Sequence, residues 1–155
     1  MKLAFGADHA GYELKQYLVG VAGELGHTVI DLGTYGRESV DYPDYGEGVA
    51  RAVISSEADL GVVICSNGVG ISIAANKVAG VRCALCHSSW GASRARQHTD
   101  ANVLALGAME VGQGVASEIL AAFLSNEFEG GRHARRLAKV AEIEARGIGL
   151  EAALP

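Results

Sequence analysis

Residues 59–77 read DLGVVICSNGVGISIAANK, and this stretch decides the fold. Its almost continuous apolar run up to Cys65 is typical of a strand that is buried on both faces of a sheet. The glycines at positions 68 and 70 allow a tight turn, and a short helix is expected to follow over 71–77. A buried strand that turns directly into a helix predicts a parallel sheet with crossover helices, and this strand is expected at its centre.

The rest of the chain repeats this alternation of short apolar runs and longer amphipathic runs. Neither a linker nor an internal repeat interrupts it, so we predict one domain over 1–146 and a C-terminal tail over 147–155. The predicted strands cover 2–6, 27–32, 59–65, 81–86 and 102–106. The predicted helices cover 10–25, a segment beginning just beyond Pro43, and 71–77, 89–97, 111–125 and 133–146.

Composition excludes several classes of protein. The chain has 155 residues, of which 49% are hydrophobic and 20% charged, so it can bury a core without further domains. Its net charge of −5 and the absence of a Lys/Arg-rich run argue against nucleic-acid binding. The N-terminal residues lack the apolar run of a signal peptide or a membrane helix. Three cysteines without disulfide density fit a reducing compartment. We therefore expect a cytoplasmic protein with no membrane partner.

Ligands of an open parallel sheet bind beyond the carboxyl ends of the strands, where Cys65 is expected. Near the backbone N–H groups of a helix start, its sulfur could act as a base or nucleophile, or it could pack as a small hydrophobe. Gly68 and Gly70 could cradle an anion or could serve only a tight turn. The third glycine of a dinucleotide-binding motif is missing, so a nucleotide site is disfavoured.

Other polar residues follow the same logic. Asp8 could bind a hydroxyl or cap a helix, whereas capping does not explain His9. His98 lies at a predicted helix end, where an imidazolium is also stabilising. Arg132 and Arg136, four residues apart, could clamp an anion or could merely cover surface. Taken together, these residues indicate a polyhydroxylated, anionic small molecule.

Residues 83–87 read CALCH, the spacing of covalent haem attachment. Two residues three apart on a strand face opposite sides of the sheet, so one ligand would not reach both cysteines. We therefore interpret Cys83 and Cys86 as packing residues, with a redox carrier as a minor alternative.

Several segments together resemble the type B ribose-5-phosphate isomerases and their galactose-6-phosphate isomerase relatives. The resemblance runs from about Lys2 to Arg146. It implies a Rossmann-like three-layer α/β/α sandwich with a five-stranded parallel sheet, no metal or organic cofactor, and a homodimer with active sites at the subunit interface, with a tetramer left open. The segments that carry it are 6–11 (GADHAG), 41–43 (DYP), Cys65 with 68–77 (GVGISIAANK), 96–98 (RQH) and 129–133 (EGGRH).

The resemblance also implies roles for individual residues. Cys65 matches the base that moves a proton between C2 and C1 of the sugar through a cis-enediolate, and His98 matches the group that opens the sugar ring. The remaining assignments are Asp8 and Asp41 in ring opening, Asn67 and Thr99 around the intermediate, Tyr42 at the substrate, His9, Arg132 and Arg136 at the phosphate, and the backbone of Gly68 and Gly70 at the enediolate.

Three positions depart from the family pattern. Asn67 stands where cysteine-type members generally carry Thr, and Thr99 stands where they generally carry Asn. Met109 replaces an arginine that usually contacts the phosphate, a loss of about 1.5 to 3 kcal/mol unless another group compensates. We expect an aldose–ketose isomerase acting on ribose 5-phosphate. The alternatives are a tetrose phosphate, a hexose phosphate or an unphosphorylated sugar as substrate, or a catalytically silent sugar-phosphate-binding protein.

Overall fold

The computed structural model describes residues 1–148, in which strands and helices alternate as predicted. Residues 149–155 of the predicted tail lie outside this range, and 147–148 continue the last helix. The strands are β1 (Lys2–Ala7), β2 (Thr28–Asp31), β3 (Leu60–Cys65), β4 (Cys83–Leu85) and β5 (Val103–Gly107). The helices are α1 (Tyr12–Glu24), α2 (Tyr42–Ile54), α3 (Val69–Ala75), α4 (Ser89–Thr99), α5 (Gln113–Ser125) and α6 (Arg132–Ile148).

The five strands form one parallel sheet in the order β2-β1-β3-β5-β4. Every residue of β3 is buried, which confirms that the apolar run at 60–65 is the centre of the sheet. Helices α1, α4 and α5 pack on one face through apolar side chains, and α2 and α3 pack on the other. The predicted three-layer α/β/α architecture is therefore confirmed. Within residues 1–148, no helix is both long enough and apolar enough to cross a bilayer.

Helix α4 runs antiparallel to the strands that it connects. It starts beyond the carboxyl end of β4 and ends beside the amino ends of β4 and β5. There, Arg82, which directly precedes β4, donates from Nε to the carbonyl oxygens of Thr99 and Asp100, both at 2.9 Å. Residues near the end of α4 therefore lie at the amino ends of the strands, whereas Cys65 lies at the carboxyl end of β3.

The observed bounds lie within about two residues of the predicted ones, and two of the differences have a structural explanation. Helix α2 begins at Tyr42 rather than beyond Pro43, because the first turn of a helix requires no backbone N–H from proline. Strand β4 is shorter than predicted and lies at the edge of the sheet. On its open side, the Asn76 side chain accepts from the amide of Cys83 at 2.8 Å and donates to the Cys83 carbonyl at 2.9 Å. These two hydrogen bonds satisfy backbone groups of β4 that a further strand would otherwise pair.

Lys15 of α1 is fully buried beneath the loop that follows β2. Its ammonium group pairs with the Asp31 carboxylate and lies 5.3 Å from the Tyr35 ring centroid. The same carboxylate accepts a hydrogen bond from the Gly33 amide at 2.9 Å. Gly33 in turn accepts a hydrogen bond from the Ala7 amide at 2.8 Å, so the ion pair fixes a loop beside the carboxyl end of β1.

Lys15→Met is expected to lower the free energy of unfolding by about 2 to 3 kcal/mol, because it leaves the partly buried Asp31 carboxylate without its cation. Urea denaturation at one fixed protein concentration measures this change. The control is Lys77→Met, at an exposed lysine, which is expected to change stability by less than about 0.5 kcal/mol. Equal stability of the two variants would contradict a structural role for the buried pair.

Candidate active site

Cys65 ends β3 and is only 3% exposed. The Gly68 amide donates a hydrogen bond to its sulfur at 3.2 Å, as expected for a thiol beside a turn into a helix. Gly68 has a φ of 78°, and a Cβ at this position would lie 2.4 Å from Leu85 Cδ1 and 2.9 Å from the Leu106 carbonyl carbon. Only glycine fits there, so the turn aims a backbone donor at the sulfur. A backbone N–H forms its strongest hydrogen bonds with negatively charged acceptors.

Two further residues border this turn. The Asn67 side chain is exposed, and its oxygen accepts a hydrogen bond from the Val69 amide, the first of α3, at 3.0 Å. The Met109 amide donates to the Ser66 carbonyl at 2.9 Å, which fixes the loop after β5 against the Cys65 turn. The Met109 side chain is 78% exposed. It is therefore available to a ligand bound at this edge.

Asp8 and His9 follow β1, the neighbour of β3. The Asp8 amide donates to the Ile64 carbonyl at 3.2 Å, and its buried carboxylate accepts from the Gly11 amide at 3.0 Å. Asp8 thus closes the turn before α1 and is not the helix cap that the sequence allowed, because the N-cap residue of α1 is Gly11 and no side chain caps this helix. The contact leaves the second carboxylate oxygen of Asp8 for another donor. His9 Nδ1 lies 3.2 Å from both the amide and the carbonyl of Val40, which orients the imidazole.

Tyr42 joins the same region through its contact with Gly70. A Cβ on Gly70 would lie 2.7 Å from Tyr42 Cζ, so the ring packs directly on the α3 backbone. Asp41 precedes α2 and is exposed. The structure therefore gathers one set of predicted residues at the carboxyl edge of β1 and β3. This set, the cysteine group, comprises Asp8, His9, Asp41, Tyr42, Cys65, Asn67, Gly68 and Gly70.

The remaining predicted residues lie together elsewhere. His98 and Thr99 form the last turn of α4, and the Thr99 hydroxyl donates to the Ala95 carbonyl at 2.6 Å. The His98 ring stacks on His133 of α6 with 4.1 Å between centroids. Arg132 and Arg136 are exposed on that same helix. We call His98, Thr99, Arg132 and Arg136 the histidine group.

Within one chain, the two groups do not meet. Cys65 packs on the face of the sheet that carries α2 and α3, whereas the buried side of α4 packs on the opposite face. The groups also lie at opposite ends of the strands. The five-residue β5 gives the scale of this separation, because it spans roughly 15 Å at about 3.3 Å per residue. A site that uses both groups therefore requires more than one chain.

The CALCH segment forms no common site. Cys83 packs toward the α2–α3 face of the sheet and Cys86 packs toward the opposite face. Burial raises the pKa of the Cys83 thiol to about 12, with a smaller contribution from Cys86, and burial raises the pKa of Cys86 to about 11. Both thiols are protonated at neutral pH. The interpretation of these cysteines as packing residues is confirmed.

Sequence reasoning did not identify Glu129 and His133 as partners of His98. Glu129 Oε2 lies 3.7 Å from His98 Nε2 and 3.8 Å from His133 Nε2. These donor atoms lie within 4.8 Å of one another, close enough to be considered as a cation site. The spacing of four residues between Glu129 and His133, across Gly130 and Gly131, was the available signal.

Comparison with known proteins places this geometry in a family. A family model described as Ribose/Galactose Isomerase matches residues 3–140. A solved structure of ribose-5-phosphate isomerase B from Clostridium thermocellum superposes with a TM-score of 0.93 at 53% identity, covering 94% of this chain and 99% of that one. Ribose-5-phosphate isomerase B of Escherichia coli is 48% identical over 145 residues, which are 94% of this chain and 97% of the relative.

A further relative bears on the substrate. D-erythrulose-4-phosphate isomerase of Pectobacterium atrosepticum is 38% identical over 146 residues, covering 93% of this chain and 95% of that protein. Proteins that match this chain over nearly their whole length thus differ in the sugar phosphate for which they are named. The family match spans β1 to α6, and the chain therefore belongs to the ribose/galactose isomerase family and is a sugar-phosphate isomerase.

Proposed function

We propose that the chain interconverts ribose 5-phosphate and ribulose 5-phosphate, with Cys65 as the base. The contact that carries this proposal is the hydrogen bond from the Gly68 amide to the Cys65 sulfur at the carboxyl end of β3. In the proposed reaction, the sulfur removes the proton from C2 of the open-chain aldose, and negative charge passes to O1. After a proton moves from O2 to O1, the sulfur returns its proton to C1.

The turn beside the sulfur fits the proposed cis-enediolate. Gly68 and Gly70 carry no side chains, so the backbone between them is accessible to an oxyanion. Fixed backbone N–H donors stabilise charge that develops on oxygen during a reaction. Asp8 and Asp41 are proposed to assist opening of the ring by His98, and Tyr42 is proposed to line the sugar.

We propose that each active site joins the cysteine group of one subunit to the histidine group of a second copy. The separation of the groups within one chain supports this arrangement. A groove of about 510 Å³ runs beside α4 from His87 past Trp90 and Arg94 to His98 and Thr99, and it borders the edge strand β4. We propose that a second copy brings its Cys65 turn to this groove.

The phosphate is proposed to bind His9 of one subunit and Arg132 and Arg136 of the other. Both arginines are exposed on α6 and four residues apart, so their guanidinium groups extend from one side of the helix. Guanidinium groups pair well with phosphate oxygens. Asn67 and Thr99 are proposed to lie on either side of the intermediate, the former through its amide and the latter through its hydroxyl.

Cys65→Ala is expected to lower kcat for ribose 5-phosphate by about 10² to 10⁴, the usual contribution of a general base, with little change in substrate binding. Isomerisation assays and calorimetric titration with ribose 5-phosphate measure the two quantities. Cys83→Ala is the matched control, because its protonated thiol packs on the sheet, and it is expected to retain turnover. Near-normal kcat in Cys65→Ala would contradict the assignment.

Mixing two inactive variants tests the shared site. Cys65→Ala and His98→Asn subunits that exchange into mixed dimers are expected to recover about a quarter of wild-type activity per chain, because half of the dimers are mixed and each carries one intact site. Native mass spectrometry verifies that mixed dimers form and whether tetramers do. Mixed dimers without recovered activity would contradict a site built from two chains.

A second candidate is an isomerase whose preferred substrate is another aldose, such as a tetrose phosphate. Met109 favours this alternative, because an apolar side chain lies exposed beside the Cys65 turn where the resemblance implies a cationic phosphate ligand. The relative named for D-erythrulose 4-phosphate also supports it. The same reaction chemistry serves both substrates, so only the fit of the sugar distinguishes them.

Met109→Arg is expected to lower KM for ribose 5-phosphate about tenfold, or about 1.4 kcal/mol, by adding a charge-assisted phosphate contact. Met109→Leu is the uncharged control and is expected to leave KM unchanged. The assay compares kcat/KM for ribose 5-phosphate, erythrose 4-phosphate, a hexose 6-phosphate and free ribose. The proposal that ribose 5-phosphate is the substrate fails if the wild type has its highest kcat/KM with free ribose. It also fails if Met109→Arg lowers kcat/KM for the sugar that the wild type uses best, because an unpaired guanidinium in a pocket shaped for another sugar would disturb binding.

A further inference from the structure

The three side chains His98, Glu129 and His133, here called the His98 cluster, join α4 to α6. The two imidazole rings are nearly parallel, with 10° between their planes and 4.1 Å between centroids. Glu129 Oε2 lies within 4 Å of Nε2 on both rings. His133 is only 4% exposed and its Nε2 has no hydrogen-bond partner among the described residues. One carboxylate thus faces two imidazoles.

The backbone holds Glu129 against α4. Its amide donates to the Gln97 carbonyl at 3.0 Å, one residue from His98. The Gln97 side chain donates to Asn126 Oδ1 at 2.7 Å and ties the start of this loop to the same helix. Gly130 and Gly131 then adopt φ values of 66° and 54°, a left-handed conformation that turns the chain into α6. The hydrogen-bonded backbone of this loop therefore places the carboxylate, although the Glu129 side chain is partly exposed.

Burial and the neighbouring charges set the protonation state of His133. Burial lowers the pKa of His133, and His98, Arg132 and Arg136 lower it further, against an opposing effect of Glu129. His133 is therefore neutral at pH 7. Arg94 also lies beside His98, with Nη1 3.5 Å from His98 Nε2 and 2.7 Å from the Gln97 side-chain oxygen. Two groups with opposite roles thus contact His98 Nε2: the Arg94 guanidinium can only donate, and the Glu129 carboxylate, 3.7 Å away, can only accept.

The ring geometry disfavours a metal ion in the cluster. The Nε2 lone pair of an imidazole lies in the plane of its ring, and two stacked, nearly parallel planes do not meet at a point close to both nitrogens, whereas the ligands of one ion direct their lone pairs at a common point. Arg94, Arg132 and Arg136 also repel a cation. Proton exchange between an imidazole and a carboxylate needs neither a converging geometry nor an added charge.

We propose that Glu129 is a positioning residue that accepts the Nε2–H of His98 and leaves His98 Nδ1 as the unprotonated nitrogen for the sugar, with His133 as a neutral platform beneath the ring. The structure shows no hydrogen bond to Nδ1 among residues 1–148. The inference rests on the proposed role of His98 in ring opening. There, Nδ1 takes the proton of the C1 hydroxyl, the bond from C1 to the ring oxygen O4 breaks as the C1 carbonyl forms, and the proton passes to O4.

The first test needs no substrate. In ¹⁵N-histidine-labelled wild-type protein, nitrogen chemical shifts are expected to show neutral His98 with its proton on Nε2. In Glu129→Ala, the proton is expected to move to Nδ1, because the Arg94 guanidinium can only donate and then makes Nε2 an acceptor. Glu127→Ala removes an exposed carboxylate from the same loop and is the matched control. A His98 tautomer that is the same in all three proteins overturns the proposal.

The second test uses turnover. Glu129→Ala is expected to lower kcat for ribose 5-phosphate about tenfold, less than loss of an acid–base group itself, and to change turnover of erythrose 4-phosphate by less than about twofold. The tetrose phosphate cannot close a ring because its O4 is esterified. Equal losses on both sugars would show a structural role and overturn the proposal. His98→Asn is the reference: if it shows no such selectivity, the proposed role of His98 fails, whereas the tautomer result still decides what Glu129 does.

Two further measurements separate the rival explanations. His133→Phe keeps a flat ring that never carries a proton, and it is expected to retain the wild-type His98 tautomer. A tautomer change as large as that in Glu129→Ala would make His133 a proton partner and overturn its role as a platform. Addition of Zn²⁺ or EDTA is expected to leave the spectra unchanged. A response to either that disappears in Glu129→Ala would identify a metal site instead.

Discussion

The hydrogen bond between the Gly68 amide and the Cys65 sulfur depends on a turn that cannot move. Gly68 is packed against Leu85 of β4 and Leu106 of β5, so the turn after β3 is held by the strands on one side of it. Gly107 adds a second constraint, because a Cβ there would lie 2.7 Å from the Asn67 carbonyl carbon. The sulfur is thereby positioned by the most deeply buried part of the sheet. Side chains on rigid elements hold reacting groups more accurately than side chains on free loops.

The same parallel sheet sets a limit on what one chain can do. All strands of the parallel sheet end on the same side, and each crossover helix runs back to the side where the strands begin. A residue at the end of a strand and a residue at the end of a helix therefore lie at opposite ends of the strands. Cys65 and His98 are such a pair. The proposed dimer would resolve this separation without changing the fold, because a second copy would supply the missing group across the groove beside α4. The argument for two chains thus rests on the connectivity rather than on any single contact.

Local patterns predicted much of this structure. The apolar run at 60–65 and the glycines after it indicated the central strand, and the placement of Cys65 followed from them. The strand order was beyond reach, because β5 lies between β3 and β4 and nothing in the local sequence shows this insertion. The partners of His98 were missed for a related reason. His133 is far from it along the chain, and the stack depends on how α6 crosses α4.

Charge distribution connects these features to binding. The chain is acidic overall, with a net charge of −5, yet Arg94, Arg132 and Arg136 surround the His98 cluster. A local cationic patch on an acidic protein attracts a small anion while the overall charge disfavours polyanions such as nucleic acids. In the proposed dimer, the phosphate is held by groups from both subunits, so each bound substrate also stabilises the interface. Binding and association are then thermodynamically linked, because a ligand that binds only the assembled form shifts the equilibrium toward it.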